Sequence, residues 1–404
     1  MQPNFNRENL KGISYLVGDE EILAGMPAVQ PHERFSPAVV DFLDRTAKKI
    51  MADRSARQYP DVVTLAFWMR KANLLGIEKE IPRKDFLRYI GRGMVFHIAP
   101  SNVPVNYAYS LITGLLAGNA NVIKAPSKDF EQVTIVNRAL RAALADYPEM
   151  APYVVVVRYG HQKEINDALS EFADARVIWG GDRTIAEIRK SPLPSRAVEV
   201  AFADRYSLAA INADYYLDAE NKTQIARDFF NDTYLTDQNA CTSPMTVAWT
   251  GKAKAEAKRV FWQQMHELLQ KEYELQPVQA VNKLTKSYLL ASAYEDVRRE
   301  EMPDNLIFRM GVGHIDHDLM LFKENSGFFM EYDCEDIGEL KDLCNDTHCQ
   351  TLSYLGEKDE FARLAELNLK GIDRIVPMGK AMDFEFNWDG YDLMEMLCRI
   401  IRIA

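Results

Sequence analysis

The chain has 404 residues, of which 47% are hydrophobic and 26% are charged, and its formal net charge is −11. This composition is typical of a globular protein of two or three domains. The negative charge disfavours nucleic acid as a partner, because phosphate binding needs a basic surface.

No run of about 18 apolar residues is present, so no membrane span is predicted. The first residues lack the basic and apolar regions of a secretory signal. The five cysteines are odd in number and mostly C-terminal, which favours reduced thiols and a cytoplasmic protein over a disulfide framework.

The first ~90 residues mix polar turns with helical stretches such as "AVVDFLDRTAKKIMADR", and from Met94 short apolar strands alternate with helices. Strands that are apolar throughout and alternate with helices predict a parallel sheet covered on both faces. The region 94–203 is therefore predicted to be a doubly wound domain of the nucleotide-binding type. Its predicted strands are "MVFHIAP", "NANVIKA", "YVVVVRY" and "ARVIWGG".

Ligands of such sheets bind beyond the carboxyl ends of the strands. The residues that follow the predicted strands are therefore candidates for binding. They are Ser101 and Asn102, Lys124 to Ser127, and Gly180 to Asp182.

A second region follows, with a predicted helix near 219–235, the segment "DQNACTSP" around Cys241, and a long amphipathic helix over 252–272. We predict an N-terminal segment and cofactor-binding domain over 1–203 and a catalytic domain over 204–376. A C-terminal segment, 377–404, is predicted to pack back on the cofactor domain.

No G-x-G-x-x-G follows the first strand, and no G-x-x-x-x-G-K-[ST] occurs anywhere in the sequence. Five other segments match the motifs of one family in the same order. "FHIAPSNVP" is similar to I-x-P-W-N-F-P, "NVIKAPS" to V-V-K-P-x-E, and "NACTSP" to the cysteine motif. "CNDTHCQTLSYLG" is similar to A-N-D-T-x-Y-G-L, and "FNWDGYDLMEML" to W-D-G-Y-D. From Met94 onward the sequence thus resembles the aldehyde dehydrogenase superfamily, and within it the LuxC-type acyl-CoA (fatty acid) reductases.

The resemblance implies an α/β fold of two Rossmann-like domains, one for the cofactor and one catalytic, with the active site between them. Cys241 is then the nucleophile that carries the acyl group as a thioester. The side-chain amide of Asn102 and the backbone N–H of Cys241 stabilise the oxyanion. The alternatives are a buried small thiol for Cys241 and an Asx-type turn for Asn102.

The resemblance places Lys124 at the lysine that holds the adenosine ribose or its phosphate; a snorkelling lysine is the alternative. Ser127 stands where NAD-preferring members carry a glutamate, whose carboxylate repels a 2′-phosphate. This favours NADPH over NADH, although Ser127 also suits a helix N-cap. Gly180 and Gly181 resemble a turn that approaches the cofactor phosphate, with a simple strand-to-helix turn as the alternative.

Two glutamates complete the predicted site. Glu199 aligns with the glutamate that activates water in aldehyde-oxidising members, but the following G-G-K is missing. It is expected to act as an acid or base in thiol exchange or to form a structural ion pair. Glu324 has the E-x-x-G spacing of the residue that binds the nicotinamide ribose.

No metal site is predicted. The segment "HIDHD" at 314–318 contains side chains that can bind metals, but no partner cluster has ligand spacing, so a polar loop is favoured. Cys344, His348 and Cys349 also lack a C-x-x-C pairing and are expected to be packing residues.

The resulting expectation is NADPH-dependent reduction of an acyl-CoA, or another activated acyl group, to an aldehyde. The alternatives are a CoA-acylating aldehyde dehydrogenase that uses NAD, an acyl-phosphate reductase, and a non-catalytic subunit that binds acyl proteins. The resemblance also implies acyl-carrier substrates or an acyl-protein synthetase partner, and a homo-oligomer.

Overall fold

A computed structural model describes residues 7–82, 86–101 and 103–403 of the chain. The chain divides into two compact units. The first comprises Met1–Ala203 and Phe384–Ala404, and the second comprises Asp204–Asp383. The predicted C-terminal segment begins at residue 377, whereas the chain returns to the first unit at Phe384.

The first unit is built from short strands that alternate with helices. Its strands up to residue 203 are β1 (Ser14–Val17), β2 (Leu87–Gly91), β3 (Met94–Ile98), β4 (Ala120–Lys124), β5 (Val154–Arg158), β6 (Ala175–Trp179) and β7 (Val198–Phe202). Its helices are α1 (Glu20–Gly25), α2 (Pro37–Ala52), α3 (Pro60–Trp68), α4 (Lys71–Glu80), α5 (Asn106–Leu116), α6 (Glu131–Asp146), α7 (Lys163–Glu171) and α8 (Asp182–Ile188).

The main sheet of this unit has the strand order β1-β5-β4-β3-β6-β7. Strands β3 to β7 pair in parallel, as the apolar runs predict, and every residue of the central strand β3 is buried. The exception is β1, which adds to β5 in the antiparallel direction. The carboxyl ends of β4, β3 and β6 therefore lie side by side, with β3 in the middle.

A chain of buried hydrogen bonds crosses the middle of this sheet. Trp179 Nε1 donates to Ser110 Oγ (3.1 Å), which lies 2.7 Å from His97 Nδ1, and His97 Nε2 lies 3.0 Å from Asn121 Oδ1. The Asn121 amide nitrogen donates to Asn119 O (2.7 Å), so Asn121 Oδ1 is the acceptor and His97 Nε2 carries the proton. This polar relay joins β3, β4, β6 and α5 beneath the edge where a ligand is predicted.

The second unit repeats the α/β principle. Its strands are β8 (Tyr206–Asn212), β9 (Pro244–Thr250), β10 (Val297–Glu300), β11 (Phe308–Val312), β12 (Phe328–Asp333), β13 (Cys349–Leu355) and β14 (Arg374–Pro377). Its helices are α9 (Ala213–Asp218), α10 (Lys222–Asp232), α11 (Lys254–Glu272), α12 (Pro277–Ala293), α13 (Lys341–Asn345) and α14 (Lys358–Glu366).

Its sheet has the order β10-β11-β12-β9-β8-β13-β14, parallel except for β10. The neighbouring strands β9, β8 and β13 begin at Pro244, Tyr206 and Cys349. Because parallel strands begin at one edge of a sheet, the segment around Cys241 and the start of β13 lie at the same edge.

The C-terminal segment belongs to the first unit. It forms β15 (Asn387–Trp388), β16 (Tyr391–Asp392), α15 (Leu393–Met396) and β17 (Cys398–Arg402). Strand β17 pairs antiparallel with β2, and Phe384 stacks on Tyr109 with ring centroids 5.4 Å apart. Across the described ranges, no helix combines the length and the apolar character needed to cross a membrane.

Candidate active site

The segment that carries Cys241 is a tightly bonded loop between a 3-10 helix at Tyr234–Thr236 and β9. Asp237 and Gln238 adopt positive φ angles of 53° and 54°, a conformation that costs energy for residues other than glycine. The loop offsets this cost with hydrogen bonds, because the buried Gln238 side chain accepts from Gly327 N (2.6 Å) and donates to Pro244 O (2.9 Å).

The carboxylate of Asp237 ties the same loop to neighbouring elements. It accepts hydrogen bonds from the Tyr273 hydroxyl and, at 2.6 Å, from Gln279 Nε2 on α12. The nucleophile predicted from the sequence thus stands on a fixed backbone. Covalent catalysis requires such a backbone, because the reacting atom must keep its position between steps.

Cys241 lies at the amino edge of the second sheet and is half-buried. Its carbonyl oxygen accepts a hydrogen bond from Ser207 Oγ (2.7 Å), at the start of β8. Its sulfur accepts one from Gln350 Nε2 (3.4 Å), at the start of β13. Side chains from two neighbouring strands therefore hold this residue and its thiol.

The other four cysteines have a different environment. All of them are buried thiols, and no disulfide is formed. Burial raises the pKa of Cys334 to about 12 and that of Cys398 to about 12. The pKa of Cys349 is also raised, by its contact with Cys344 and by burial. Thiols of this kind are unreactive, which singles out Cys241.

Gln350 is a site residue that the sequence does not predict. It lies within the motif "CNDTHCQTLSYLG", but the motif gives no indication that its side chain reaches Cys241. The backbone around it is held on both sides. Gln350 O accepts from Asp373 N (2.9 Å), and the carbonyl of Cys349 accepts from the buried Arg205 guanidinium.

Lys124 ends β4 at the carboxyl edge of the first sheet. Its ammonium lies 4.1 Å from the centroid of the Tyr159 ring and donates to Gly160 O (2.9 Å). Burial lowers the pKa of Lys124 to about 8. The group therefore stays mostly protonated at neutral pH and gains from a nearby anion, because an opposite charge restores the pKa.

Ser127 lies three residues further on and is exposed. The loop that carries it is held by Arg158, whose Nε donates to Pro126 O (3.0 Å) and whose guanidinium pairs with the exposed carboxylate of Asp129. Because this carboxylate is neutralised by Arg158, the surface near Ser127 does not carry an unpaired negative charge from Asp129.

Gly180 and Gly181 join β6 to α8 at the same edge of the sheet. Gly180 N donates to Phe202 O (3.0 Å), and Gly181 O accepts from Thr184 N (2.8 Å). Gly181 has no neighbouring atom within 4 Å of an added Cβ position. Together with Lys124, these glycines occupy the strand ends on both sides of β3. Asn102, predicted to follow β3, lies outside the described residues.

Glu199 does not lie at this edge. It is the second residue of β7 and pairs in register with Arg176, the second residue of β6, which places it near the amino ends of the strands. Its carboxylate accepts from Arg176 Nε (2.9 Å) and Arg189 Nε (2.7 Å). The pKa of Glu199 is lowered, since these hydrogen bonds and charges outweigh burial. These contacts match the ion-pair alternative for Glu199.

Glu324 belongs to a loop of the second unit that contacts the Cys241 loop. Its carboxylate accepts from Asn325 N (3.0 Å). The same loop is fastened to the Cys241 segment, because Asn325 Nδ2 donates to Asn239 Oδ1 (2.8 Å). The buried Lys283 also holds the Glu324 loop, because its ammonium donates to Ser326 O (2.6 Å). The structure thus brings the Glu324 loop beside the Cys241 loop.

The segment 314–318 pairs its own side chains. His314 Nε2 lies 3.4 Å from Asp316, His317 Nε2 lies 3.3 Å from Asp318, and Asp316 caps the following turn through Leu319 N (3.1 Å). In the part of the chain that the structure describes, no group of three or more His, Cys, Asp or Glu side chains is placed to hold a metal ion.

The chain is similar to known proteins in both sequence and fold. The profile of the acyl-CoA reductase (LuxC) family matches residues 67–309, which is more than half of the chain. The chain belongs to the acyl-CoA reductase (LuxC) family. The match includes the segments of Lys124, Gly180 and Cys241, and it ends before Glu324 and Gln350.

Curated relatives of this LuxC-family chain are described as long-chain acyl-protein thioester reductases. A long-chain acyl-protein thioester reductase of Aliivibrio fischeri is 23% identical over 313 residues, which cover 75% of this chain and 62% of that protein. Long-chain acyl-protein thioester reductase 2 of Photobacterium leiognathi is 22% identical over 339 residues, covering 80% and 66%. The chain thus aligns with less than two thirds of the length of these relatives.

Solved structures establish the fold of this LuxC-family member. Lactaldehyde dehydrogenase of Escherichia coli superposes with a TM-score of 0.62 at 13% identity, covering 95% of this chain and 91% of that one. A NAD-dependent benzaldehyde dehydrogenase of Corynebacterium glutamicum gives 0.61 at 15% identity, covering 97% and 95%. The chain has the aldehyde dehydrogenase-like α/β fold that the sequence predicts.

Proposed function

We propose that this protein is an oxidoreductase that reduces an activated acyl group to an aldehyde, with NADPH as the reductant and a Cys241 thioester as the intermediate. One observation carries the proposal. The thiol of Cys241 is partly accessible, stands on a fixed loop and accepts a hydrogen bond from the Gln350 amide. Membership of the acyl-CoA reductase (LuxC) family supports acyl chemistry at this thiol.

The first step is acyl transfer to Cys241. The thiolate attacks the carbonyl carbon of an acyl thioester, the bond from that carbon to the donor sulfur breaks, and the donor leaves as a thiolate. Thioester exchange has little net energy, and sulfur is a good nucleophile at a thioester carbonyl. The backbone N–H of Cys241 and the amide of Asn102 are proposed to stabilise the oxyanion, worth about 3–4 kcal/mol per donor.

The residues at the carboxyl edge of the first sheet fit a nicotinamide dinucleotide. An ammonium (Lys124), an exposed hydroxyl (Ser127) and an uncovered glycine backbone (Gly181) supply donors for phosphate and ribose oxygens. Lys124 would hold the adenosine ribose and its 2′-phosphate, with Ser127 as a further donor. Glu324 would hold the second ribose. The nicotinamide, when bound, supplies a hydride.

Hydride addition to the thioester carbonyl would give a tetrahedral alkoxide, the thiohemiacetal anion, on the carbon bound to Cys241 Sγ. The carbonyl of the aldehyde then forms as the carbon–Sγ bond breaks, and the electron pair of that bond returns to Sγ. Both oxygens of the Glu199 carboxylate are bound by arginines, which makes it a poor base. The proposed acyl group therefore meets hydride rather than an activated water.

The donor of the acyl group is proposed to be coenzyme A or an acyl protein. The family description names acyl-CoA, whereas the curated relatives are described as acyl-protein thioester reductases. A carrier protein or a synthetase would then be a partner. The two donors present the same thioester to Cys241 and differ in what surrounds it.

Mass spectrometry of the intact protein tests the proposal. After mixing with acyl-CoA, we expect the mass to increase by one acyl group, localised to Cys241 by peptide mapping. Cys241→Ala is expected to show no adduct and at least a thousandfold less aldehyde formation, in line with about 4 kcal/mol for a lost nucleophile. Cys334→Ala is the control and keeps the adduct.

NADPH is then added to the acylated protein. Release of aldehyde supports the reductase. Release only by NADH identifies the NAD-linked acylating dehydrogenase as the correct alternative. A wild-type protein that gains no acyl group from any acyl-CoA or acyl-carrier donor contradicts the proposal and favours the non-catalytic binding subunit.

A further inference from the structure

We propose that Gln350 is a catalytic residue that stabilises negative charge on the Cys241 sulfur by donating a side-chain N–H to Sγ. This inference rests on the proposed function, because it assigns Gln350 a role in the two steps at which that sulfur reacts. Neither the family profile nor the resemblance in the sequence assigns this role, and the profile match ends before Gln350.

The contact is a hydrogen bond between a buried amide and a partly accessible thiol. Gln350 Nε2 lies 3.4 Å from Cys241 Sγ, a normal distance for a nitrogen donor and a sulfur acceptor, and the Gln350 residue is fully buried. A buried amide is costly to leave without partners. The hydrogen bond to Cys241 Sγ therefore satisfies part of the hydrogen-bonding capacity of this buried amide.

The backbone that carries this side chain is held in place at the start of β13. Gln350 O accepts from Asp373 N (2.9 Å), and the preceding carbonyl of Cys349 accepts from Arg205. Arg205 also donates to Gly371 O (2.6 Å) and is itself buried. A side-chain donor that already contacts the sulfur from a fixed backbone needs little reorganisation when charge develops there, which favours electrostatic catalysis.

The sulfur carries negative charge twice in the proposed reaction. It attacks the acyl donor as a thiolate, and it leaves the thiohemiacetal as a thiolate when the carbon–Sγ bond breaks and the electron pair returns to sulfur. A hydrogen bond to the charged form favours it over the neutral form. One N–H of Gln350 can therefore stabilise both the nucleophile and the leaving group.

An amide suits a reductase better than a basic side chain. Its nitrogen does not take up a proton near neutral pH, so Gln350 can hold the sulfur without activating water against the acyl group. The A-N-D-T-x-Y-G-L pattern that "CNDTHCQTLSYLG" resembles has a glycine at the position of Gln350. The side chain is thus an addition to that pattern.

The pH dependence of Cys241 alkylation tests the role without any acyl donor or cofactor. Iodoacetamide is applied between pH 5 and 10 (about the range in which thiols titrate), and labelling of the Cys241 peptide is followed by mass spectrometry. The variants are Gln350→Met, which keeps the length but removes the donor, and Gln350→Glu. Ser353→Ala is the matched control, because it removes a buried hydrogen bond of β13, to Asp232 (2.9 Å), away from the sulfur.

We expect Gln350→Met to move the midpoint of the alkylation profile up by about one pH unit, which slows labelling at neutral pH about tenfold. Gln350→Glu is expected to move the midpoint further, because a carboxylate repels the thiolate. Ser353→Ala should superpose on the wild type. If Gln350→Met does not fold, Gln350→Asn, which withdraws the amide by one methylene, replaces it.

Superposed profiles for the wild type and a folded Gln350→Met or Gln350→Asn would overturn the proposal. An equal shift in Ser353→Ala would do the same, because the effect would then be structural. Failure of the proposed function looks different: the wild-type thiol reacts with iodoacetamide but takes no acyl group from any thioester.

Discussion

The two sheets carry their candidate residues in opposite ways. At the amino edge of the second sheet, Cys241 is fixed by Ser207, Gln350 and a loop whose strained residues are all bonded. At the carboxyl edge of the first sheet, Ser127 and Gly181 are exposed. A nucleophile that stays covalently linked through the reaction needs a fixed position, whereas a cofactor that must dissociate needs an open edge.

The open edge of the first sheet has a rigid support beneath it. The relay from Trp179 through His97 to Asn121 is buried and consists of directed hydrogen bonds. Only the residues at the edge of the first sheet are exposed, and the residues beneath them are buried and hydrogen-bonded. The two sheets therefore differ in the exposure of their edges and not in their interiors. If the sheets differ in this way, substitutions inside the first sheet should change stability, whereas substitutions at its open edge should change cofactor binding.

Protonation of the buried His97 in acid is predicted to lower the stability of the folded protein. Burial lowers the pKa of His97 to about 4, below the value of about 6.5 in the unfolded chain. The stability it contributes is complete above pH 6.5 (the unfolded value) and is lost as the pH falls toward 4, by about 3 kcal/mol in total. Urea unfolding from pH 7 to pH 4 should show this slope, and His97→Gln should flatten it. Equal slopes would show that His97 is not buried as a neutral ring.

Glu199 is predicted to matter for folding and not for catalysis. The Arg176 guanidinium is buried, so Glu199→Gln leaves it without its carboxylate partner and should cost about 2 kcal/mol of unfolding free energy. The rate of aldehyde formation below the unfolding temperature should change less than threefold, roughly the scatter of neutral substitutions. A fall of a hundredfold in a folded variant would return Glu199 to the catalytic site.

Lys124 is predicted to bind the cofactor through its charge. Lys124→Met should weaken NADPH binding by about tenfold to thirtyfold, roughly one charge-assisted hydrogen bond, while acylation of Cys241 stays unchanged. In the wild type, affinity for NADPH should fall as the pH rises through about 8, where the free lysine loses its proton. Fluorescence titration measures both, and a pH-independent affinity would exclude a contact with phosphate.

Ser127 is predicted to set the choice of cofactor. Ser127→Glu places a carboxylate where NADPH carries its 2′-phosphate, so the ratio of NADPH to NADH efficiency should fall by about tenfold, one like-charge contact at an exposed site. Ser127→Gln is the uncharged control of the same length. An unchanged ratio in both variants would place the 2′-phosphate elsewhere.

The sequence predicts much of this molecule because its strands are short, apolar and followed by helices. That pattern gives β3 to β6 directly and places Lys124 and Gly180 at strand ends. Strand β1 has no such signal: it runs antiparallel at the edge of the sheet, and two of its four residues are only partly buried.

What the sequence does not show for Glu199 and Gln350 depends on strand register and on tertiary neighbours. Glu199 aligns with a catalytic position, but its place near the amino end of β7 follows from pairing with β6. Gln350 lies 109 residues from Cys241 in the chain, and only the adjacency of β9, β8 and β13 brings the two together. No local pattern encodes either relation.

We propose that the acyl group on Cys241 meets hydride rather than water. A single-turnover experiment with NADPH deuterated at the transferred position tests this on protein that has been acylated and freed of excess donor. We expect aldehyde with one deuterium on its carbonyl carbon, one molecule for each acyl group lost from Cys241. Release of the acyl group as a carboxylic acid without deuterium would show that water, and not hydride, reaches the thioester.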